Sequence, residues 1–318
     1  MVAYHAFGRF IDTNVTGLAP VVLFFVLSGF VLARSLVRGP TIAEFFRHRV
    51  FRLFPAGIAV VLLLTALHAQ FGFYHGFLPD FSAFNVLLNA LMLKHDINGP
   101  MWSMTVECLA TPVIVATFWV CQRFGWQKVL PAIVILFGLS FVGQFTQLLG
   151  GFSNLGPLYA FLVGVVLHFT GRHLVEALTT GNMKTFVAIA ATAVLFYCGL
   201  QKQTGWTILL ETLSSGCLIT LIAFAPDLKV FSFLDSAWSN FFGLVSYSFY
   251  LLHMIGLSVA VWFSNFEGLP VISALTSALL GVALTTPLAW ISWRFIERPF
   301  IRLGRLLDSS PVGHVAAQ

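Results

Sequence analysis

An all-α fold, a polytopic transmembrane helical bundle of about ten helices with the first one incomplete, is predicted by three features of this sequence. Of its 318 residues 58% are hydrophobic and only 9% charged, against roughly 25% charged in a soluble domain. The apolar residues gather into stretches of about 20, enough to cross a ~30 Å hydrocarbon core, with short polar gaps between them. The basic residues alternate from gap to gap: fourteen lysines and arginines fall in one set, and only Arg9, Lys94 and Lys202 in the other. A missed or extra crossing would scramble that alternation, so it supports the helix count as well as the orientation.

In chain order, Met1–Gly8 reads as the outer end of a first span that would begin before Met1. Full spans are expected at 18–36, 51–70, 100–122, 130–148, 155–171, 185–200, 206–224, 239–263 and 271–293. Some are short or hold Pro or Gly, which predicts kinked or partly buried helices. Segment 81–94 is apolar but too short to cross and reads as an interfacial or re-entrant helix. Residues 1–305 thus form one transmembrane domain, and 306–318 a short, polar, disordered tail. The basic gaps predict a cytoplasmic C-terminus, and a multi-pass location in the plasma membrane is expected. There is no basic n-region of a cleavable signal peptide.

The same patterning excludes several functions. The net charge of +5 sits at membrane flanks, where it sets topology and meets membrane lipids, not on a face suited to nucleic acid. Cys108, Cys121, Cys198 and Cys217 lie inside apolar stretches, with no CxxC pair and no His/Cys cluster of metal-ligand spacing, so they are packing residues and no metal site is expected.

Ionisable groups inside apolar spans are costly, and each is a candidate for chemistry. His5, in Tyr4-His5-Ala6, could act as a general base on a hydroxyl or as a proton relay, or be a hydrogen-bonded core histidine. Glu107 follows the break at Gly99-Pro100 by about a turn and a half, with Ser103 one turn before it on the same face and Trp102 suited to a membrane interface. It could orient a histidine, hold a proton or pair with an arginine. Arg47, Arg49 and Arg52 stand in Phe45-Phe46-Arg47-His48-Arg49-Val50-Phe51-Arg52-Leu53-Phe54-Pro55. Arg49 and Arg52 share a helical face at the cytoplasmic edge, where guanidinium forks can grip phosphates or anionic lipids. Ser246, Tyr250 and His253 form an i, i+4, i+7 stripe, a polar seam suited first to hydrogen-bonded packing. Ser28-Gly29 permits close helix approach; no base or nucleophile elbow accompanies Ser28. Glu211 and His168 read as structural. Asp12, Asp80, Asp96 and Glu267 read as solvated outer-loop residues.

These segments together resemble the acyltransferase-3 family, membrane O-acyltransferases that modify bacterial surface polysaccharides and other extracytoplasmic acceptors. The likeness rests on Tyr4-His5-Ala6, on Leu23 to Phe30, on the RxxRxxP spacing ending at Pro55, and on Trp102-Ser103 with Glu107. Tyr159 to Gly164, Ser246 to His253 and Glu297-Arg298-Pro299 extend it through most of the chain. In that family an arginine lies about one helix length before the histidine matching His5; the sequence starts too late to hold it, which reads as an N-terminal truncation.

The resemblance implies a cytoplasmic acyl donor such as acetyl-CoA, a co-substrate and not a bound cofactor, and a hydroxyl acceptor, usually a carbohydrate, at the outer face. Arg49 and Arg52, assisted by Arg47, are then expected to hold the coenzyme phosphates. His5 would deprotonate the acceptor or relay the acyl group, with Glu107 orienting the imidazole. Two rival classes are a secondary transporter, for which no inverted repeat is visible, and a truncated, inactive family member.

Overall fold

The computed structural model describes residues 1–11, 17–76, 78–141 and 152–308. Twelve α-helices follow one another among these residues: α1 Val2–Phe10, α2 Ala19–Leu36, α3 Ile42–Phe71, α4 Ala83–Ala90, α5 Trp102–Phe124, α6 Leu130–Leu139, α7 Tyr159–Ala177, α8 Gly181–Gly199, α9 Gly205–Phe224, α10 Ala237–Phe263, α11 Pro270–Ser292 and α12 Arg298–Leu306. Eight helical stretches are long and apolar enough to cross a membrane. The expected span at 130–148 begins as the shorter apolar helix Trp126–Leu139 and continues outside the described residues, as do Asp12 and most of the expected tail. The all-helical bundle agrees with the expected fold class, with eight candidate spans among the described residues against the about ten expected.

Two boundaries differ from the sequence reading. The second full span begins at Ile42, not at 51, because Thr41 and Glu44 close a reciprocal capping box that satisfies the first free amides of the helix. Arg47, Arg49 and Arg52 therefore stand on a helix and not in a gap. At thirty residues, α3 is about 45 Å long at 1.5 Å per residue, more than a ~30 Å core needs. At the other end α11 does not stop near 293. A π-helical turn, Trp293–Glu297, joins it to α12, so Glu297 is carried on a continuous helix.

The α2–α7 contact shows what Ser28-Gly29 achieves. A Cβ on Gly29 would collide with the Phe161 carbonyl oxygen, and one on Gly164 with that of Val26. The two backbones thus meet through reciprocal glycines, the packing that substitutes for a hydrophobic driving force between helices in lipid. Phe25 stacks on Phe161 beside it, 4.4 Å between ring centres. Both rings are fully buried, and the contact fixes the face of α2 that carries Ser28.

The short α4 and the turn after it occupy the segment 81–94, expected as an interfacial or re-entrant helix. Asn98 donates to the Leu251 carbonyl, 3.0 Å away, and Leu251 lies at the middle of the 27-residue α10. The start of α5 therefore lies deep within the bundle. Non-helical backbone at that depth must be satisfied by protein. The Asn85 and Asn89 amides reach the two Asp96 oxygens at 2.9 and 2.7 Å, the Asn89 carbonyl accepts from the Ile97 amide, and Thr105 donates to the Met92 carbonyl at 2.8 Å. Asp96 is thus a bracket for this loop, not merely a solvated outer residue. Trp102 packs edge-on against Phe25, 6.1 Å between ring centres.

Candidate functional site

The polar centre is assembled by three helices. Glu107 on α5 and Arg49 on α3 are both buried, at 2% and 8% exposure, and one guanidinium nitrogen of Arg49 reaches Glu107 Oε1 at 2.6 Å. Ser28 on α2 donates to that same oxygen at 3.1 Å. Glu107 Oε2 and Arg49 Nε have no hydrogen-bond partner among the described residues. A charge pair in this setting must be held by good geometry, since removing either partner strands the other charge in a low-dielectric interior. Ser103, one turn before Glu107, donates to the Tyr250 hydroxyl at 2.8 Å, and Tyr250 in turn donates to the Pro100 carbonyl at 2.8 Å. The seam expected on α10 is thereby tied to the break that starts α5.

A cavity of about 320 Å³ runs beside this centre, lined by Pro20 through Leu32 on one face of α2, by Arg49, Arg52 and Leu53, by Ser103, Met104 and Glu107, and by Ser246, Tyr247 and Tyr250. Its walls are mostly apolar, with the charged groups gathered on α3 and α5. Arg52 lies on its wall, exposed and without a salt bridge among the described residues.

A second cavity, about 690 Å³, is lined by Tyr4, His5, Gly8 and Arg9 of α1, by residues 71–76 at the far end of α3, and by Met254, Leu257, Ser258, Val261 and Trp262 of α10. His5 belongs to this cavity and Glu107 to the other, and no hydrogen bond joins them. Glu107 therefore does not orient His5 as expected; its carboxylate is taken by Arg49 and Ser28. The neighbour of His5 is His253, whose ring centre is 5.4 Å away. His253 also packs on Tyr250, at 5.6 Å. Tyr250, His253 and His5 thus form the partition between the two cavities.

The three arginines have separate positions. Arg49 is committed to Glu107. Arg47 donates from Nε to the Gly304 carbonyl at 3.3 Å and forms an ion pair with Asp308, which His48 also contacts at 3.1 Å. Arg47 therefore clips the C-terminal helix α12 to α3 and is absent from the cavity wall, contrary to its expected place beside Arg49 and Arg52. Two buried groups were missed by sequence reasoning. Glu297, 4% exposed, accepts from Ser248 at 2.9 Å, and the Ser292 hydroxyl lies 3.1 Å from Ser248 Oγ, which can accept from it. The visible signal was the Glu-Arg-Pro triplet, but the last span was ended at 293, which left Glu297 in an apparent loop.

A bundle of apolar helices with a buried ion pair, a mostly apolar cavity with cationic groups on its wall, and a second cavity lined by a histidine defines a polytopic membrane protein with a polar centre inside its core. Residues 1–294 match the model of the acyltransferase-3 family, described as an acyltransferase domain. That is nearly the whole chain, and the chain belongs to this family of enzymes. It is also similar to an O-acetyl transferase of Shigella phage Sf6, 19% identical over 301 residues that cover 88% of this chain and 84% of the phage protein. No solved structure matches the chain.

Proposed function

We propose that the protein is a membrane O-acyltransferase that moves an acetyl group from acetyl-CoA on the cytoplasmic side of the plasma membrane to a hydroxyl of an extracytoplasmic acceptor, a cell-surface glycan. The name of the phage relative supports transfer of acetyl to oxygen, and the excess of basic residues at the α2–α3 and α11–α12 ends supports a cytoplasmic C-terminus and a donor entering from that side. The observation that carries the reading is the pair of cavities meeting at the Tyr250–His253–His5 partition.

A coenzyme bearing several phosphates cannot follow its acyl group through hydrocarbon. In this reading its phosphates stay with Arg52, the uncommitted arginine of the first cavity, and its slender arm lies along the apolar face of α2. Glu107 Oε2 and Arg49 Nε supply one unsatisfied acceptor and one unsatisfied donor, the complement of an amide, and the pantetheine arm carries two amides.

His5 takes the proton of the acceptor hydroxyl in the second cavity as the oxygen attacks the thioester carbonyl. A C–O bond forms, the C–S bond breaks, and the departing thiolate receives the proton from the imidazolium. Arg47, outside the cavity, supports α12 and makes no contact with the donor.

Mass spectrometry of surface glycans from cells with the gene, without it, and with His5→Ala tests the function. The proposal expects each modified sugar to lack the mass of one acetyl group in the second and third samples. Identical glycans in all three would refute it.

A further inference from the structure

His253 makes one contact that determines its protonation. Its Nδ1 lies 2.6 Å from the Tyr250 carbonyl oxygen. A carbonyl only accepts, so Nδ1 carries the proton, and the neutral ring is left with its lone pair on Nε2. That nitrogen is sealed from solvent and has no partner among the described residues, and the same is true of Nε2 of His5. His253 is fully buried, and the two rings are tilted at 34° with centres 5.4 Å apart. A small rotation or one bridging water joins two such nitrogens. His5 alone of the two lines the second cavity, so its other nitrogen, Nδ1, is the one available to a group bound there.

We infer that His253 is the positioning residue of the His5 base: its Nε2 accepts the Nε2–H of His5 and so holds His5 in the tautomer whose Nδ1 lone pair serves the acceptor hydroxyl. This rests on the reading of His5 as the base. During transfer the hydroxyl proton passes to His5 Nδ1 as the C–O bond forms and the C–S bond breaks. His5 then carries protons on both nitrogens, the second shared with His253, and the thiolate removes the proton from Nδ1 to complete the cycle.

The arrangement repeats the logic by which a carboxylate orients a catalytic histidine, with a neutral orienter in its place. Two imidazoles and a peptide carbonyl need no second buried charge, which suits a wall of apolar helices. Other titratable and charged groups around the pair are Tyr4 on α1, its ring centre 4.9 Å from that of His5, the Met1 amino group, His75 from the stretch after α3 and Arg9 on the cavity lining, with Tyr250 on the helix of His253.

Three variants separate this role from packing. His253→Asn can keep a donor toward the Tyr250 carbonyl but offers no acceptor to His5, whereas His253→Gln can place its amide oxygen near the Nε2 position. Rates are read from [14C]acetyl-CoA in inverted vesicles from the source cells, with elution of each variant in detergent as the folding control. The expected result is kcat lowered about 100-fold in His253→Ala and His253→Asn, the scale of a general-base contribution. KM for acetyl-CoA should be unchanged, the acid limb of the pH–rate profile displaced, and most of the rate restored in His253→Gln.

Full activity in His253→Asn, a Gln variant no faster than Ala, or an unmoved pH profile would overturn the assignment. His5→Ala is measured alongside. If it remains active, the base itself is wrongly assigned; if it is inactive while His253→Ala is active, only the pairing fails.

Discussion

The two cavities solve opposite electrostatic problems. In the first, a full positive and a full negative charge, Arg49 and Glu107, are buried against each other at 2.6 Å, and a further arginine is left free on the wall. In the second, His5 of α1 lines the cavity and is backed by His253 of α10, two groups that can be neutral, and the permanent cation on the lining is Arg9. A charged site suits a multiply phosphorylated donor; a neutral imidazole suits removal of a proton from an uncharged hydroxyl. In the proposed scheme the apolar bundle concentrates fixed charge where an anionic substrate would offset its burial and uses titratable neutral groups elsewhere.

The comparison can be broken first at its chemical end. In the proposed scheme His5→Ala lowers acetyl transfer by at least about 1,000-fold, within the range of lost general-base and proximity contributions, while the protein still binds coenzyme A. Transfer at the wild-type rate would remove His5 from the reaction. Glu107→Gln is expected to abolish transfer and also to destabilise the bundle by about 3–5 kcal/mol, because it leaves the buried Arg49 charge unpaired. A thermal melt in detergent reads the second effect. An unchanged melting temperature would show that the ion pair contributes no such stability.

Smaller effects sharpen the division. Arg52→Ala is expected to raise KM for acetyl-CoA about 10- to 100-fold, with kcat less affected, as loss of a charge-assisted phosphate contact does. Arg47→Ala should change KM less than about twofold, since its partners are Gly304 and Asp308. A large KM change in Arg47→Ala would return it to the donor site.

Least of all is the effect of acid on the α12 clip. The Arg47 hydrogen bond and the nearby His48 hold the Asp308 carboxyl below its ordinary range. A depressed folded pKa means that this contribution is present above the unfolded value and fades as the pH falls through the folded one. Proteolysis of α12 should therefore quicken only in strong acid in wild type, and Asp308→Asn should remove that pH step.

The bundle was legible because crossing a bilayer leaves a long apolar signature for each helix, and because Ser28-Gly29 and the short 81–94 segment carry local packing and length constraints. The site was legible by residue type and only partly by partner. Arg49 and Glu107 lie 58 positions apart, and no local rule pairs one with the other instead of Glu107 with His5. The separation of Arg47 was written in the helix period: two residues turn the chain about 200°, so Arg47 and Arg49 lie on opposite sides while Arg49 and Arg52 stay close. Glu297 was hidden because the helix carrying it continues through a π turn past the last apolar run.

Binding of coenzyme A to the purified protein, measured by calorimetry for wild type, Arg52→Ala and His5→Ala, tests the division between the cavities most directly. The account predicts that affinity falls at least about tenfold in Arg52→Ala and is unchanged in His5→Ala. Loss of binding in His5→Ala with normal affinity in Arg52→Ala would contradict it.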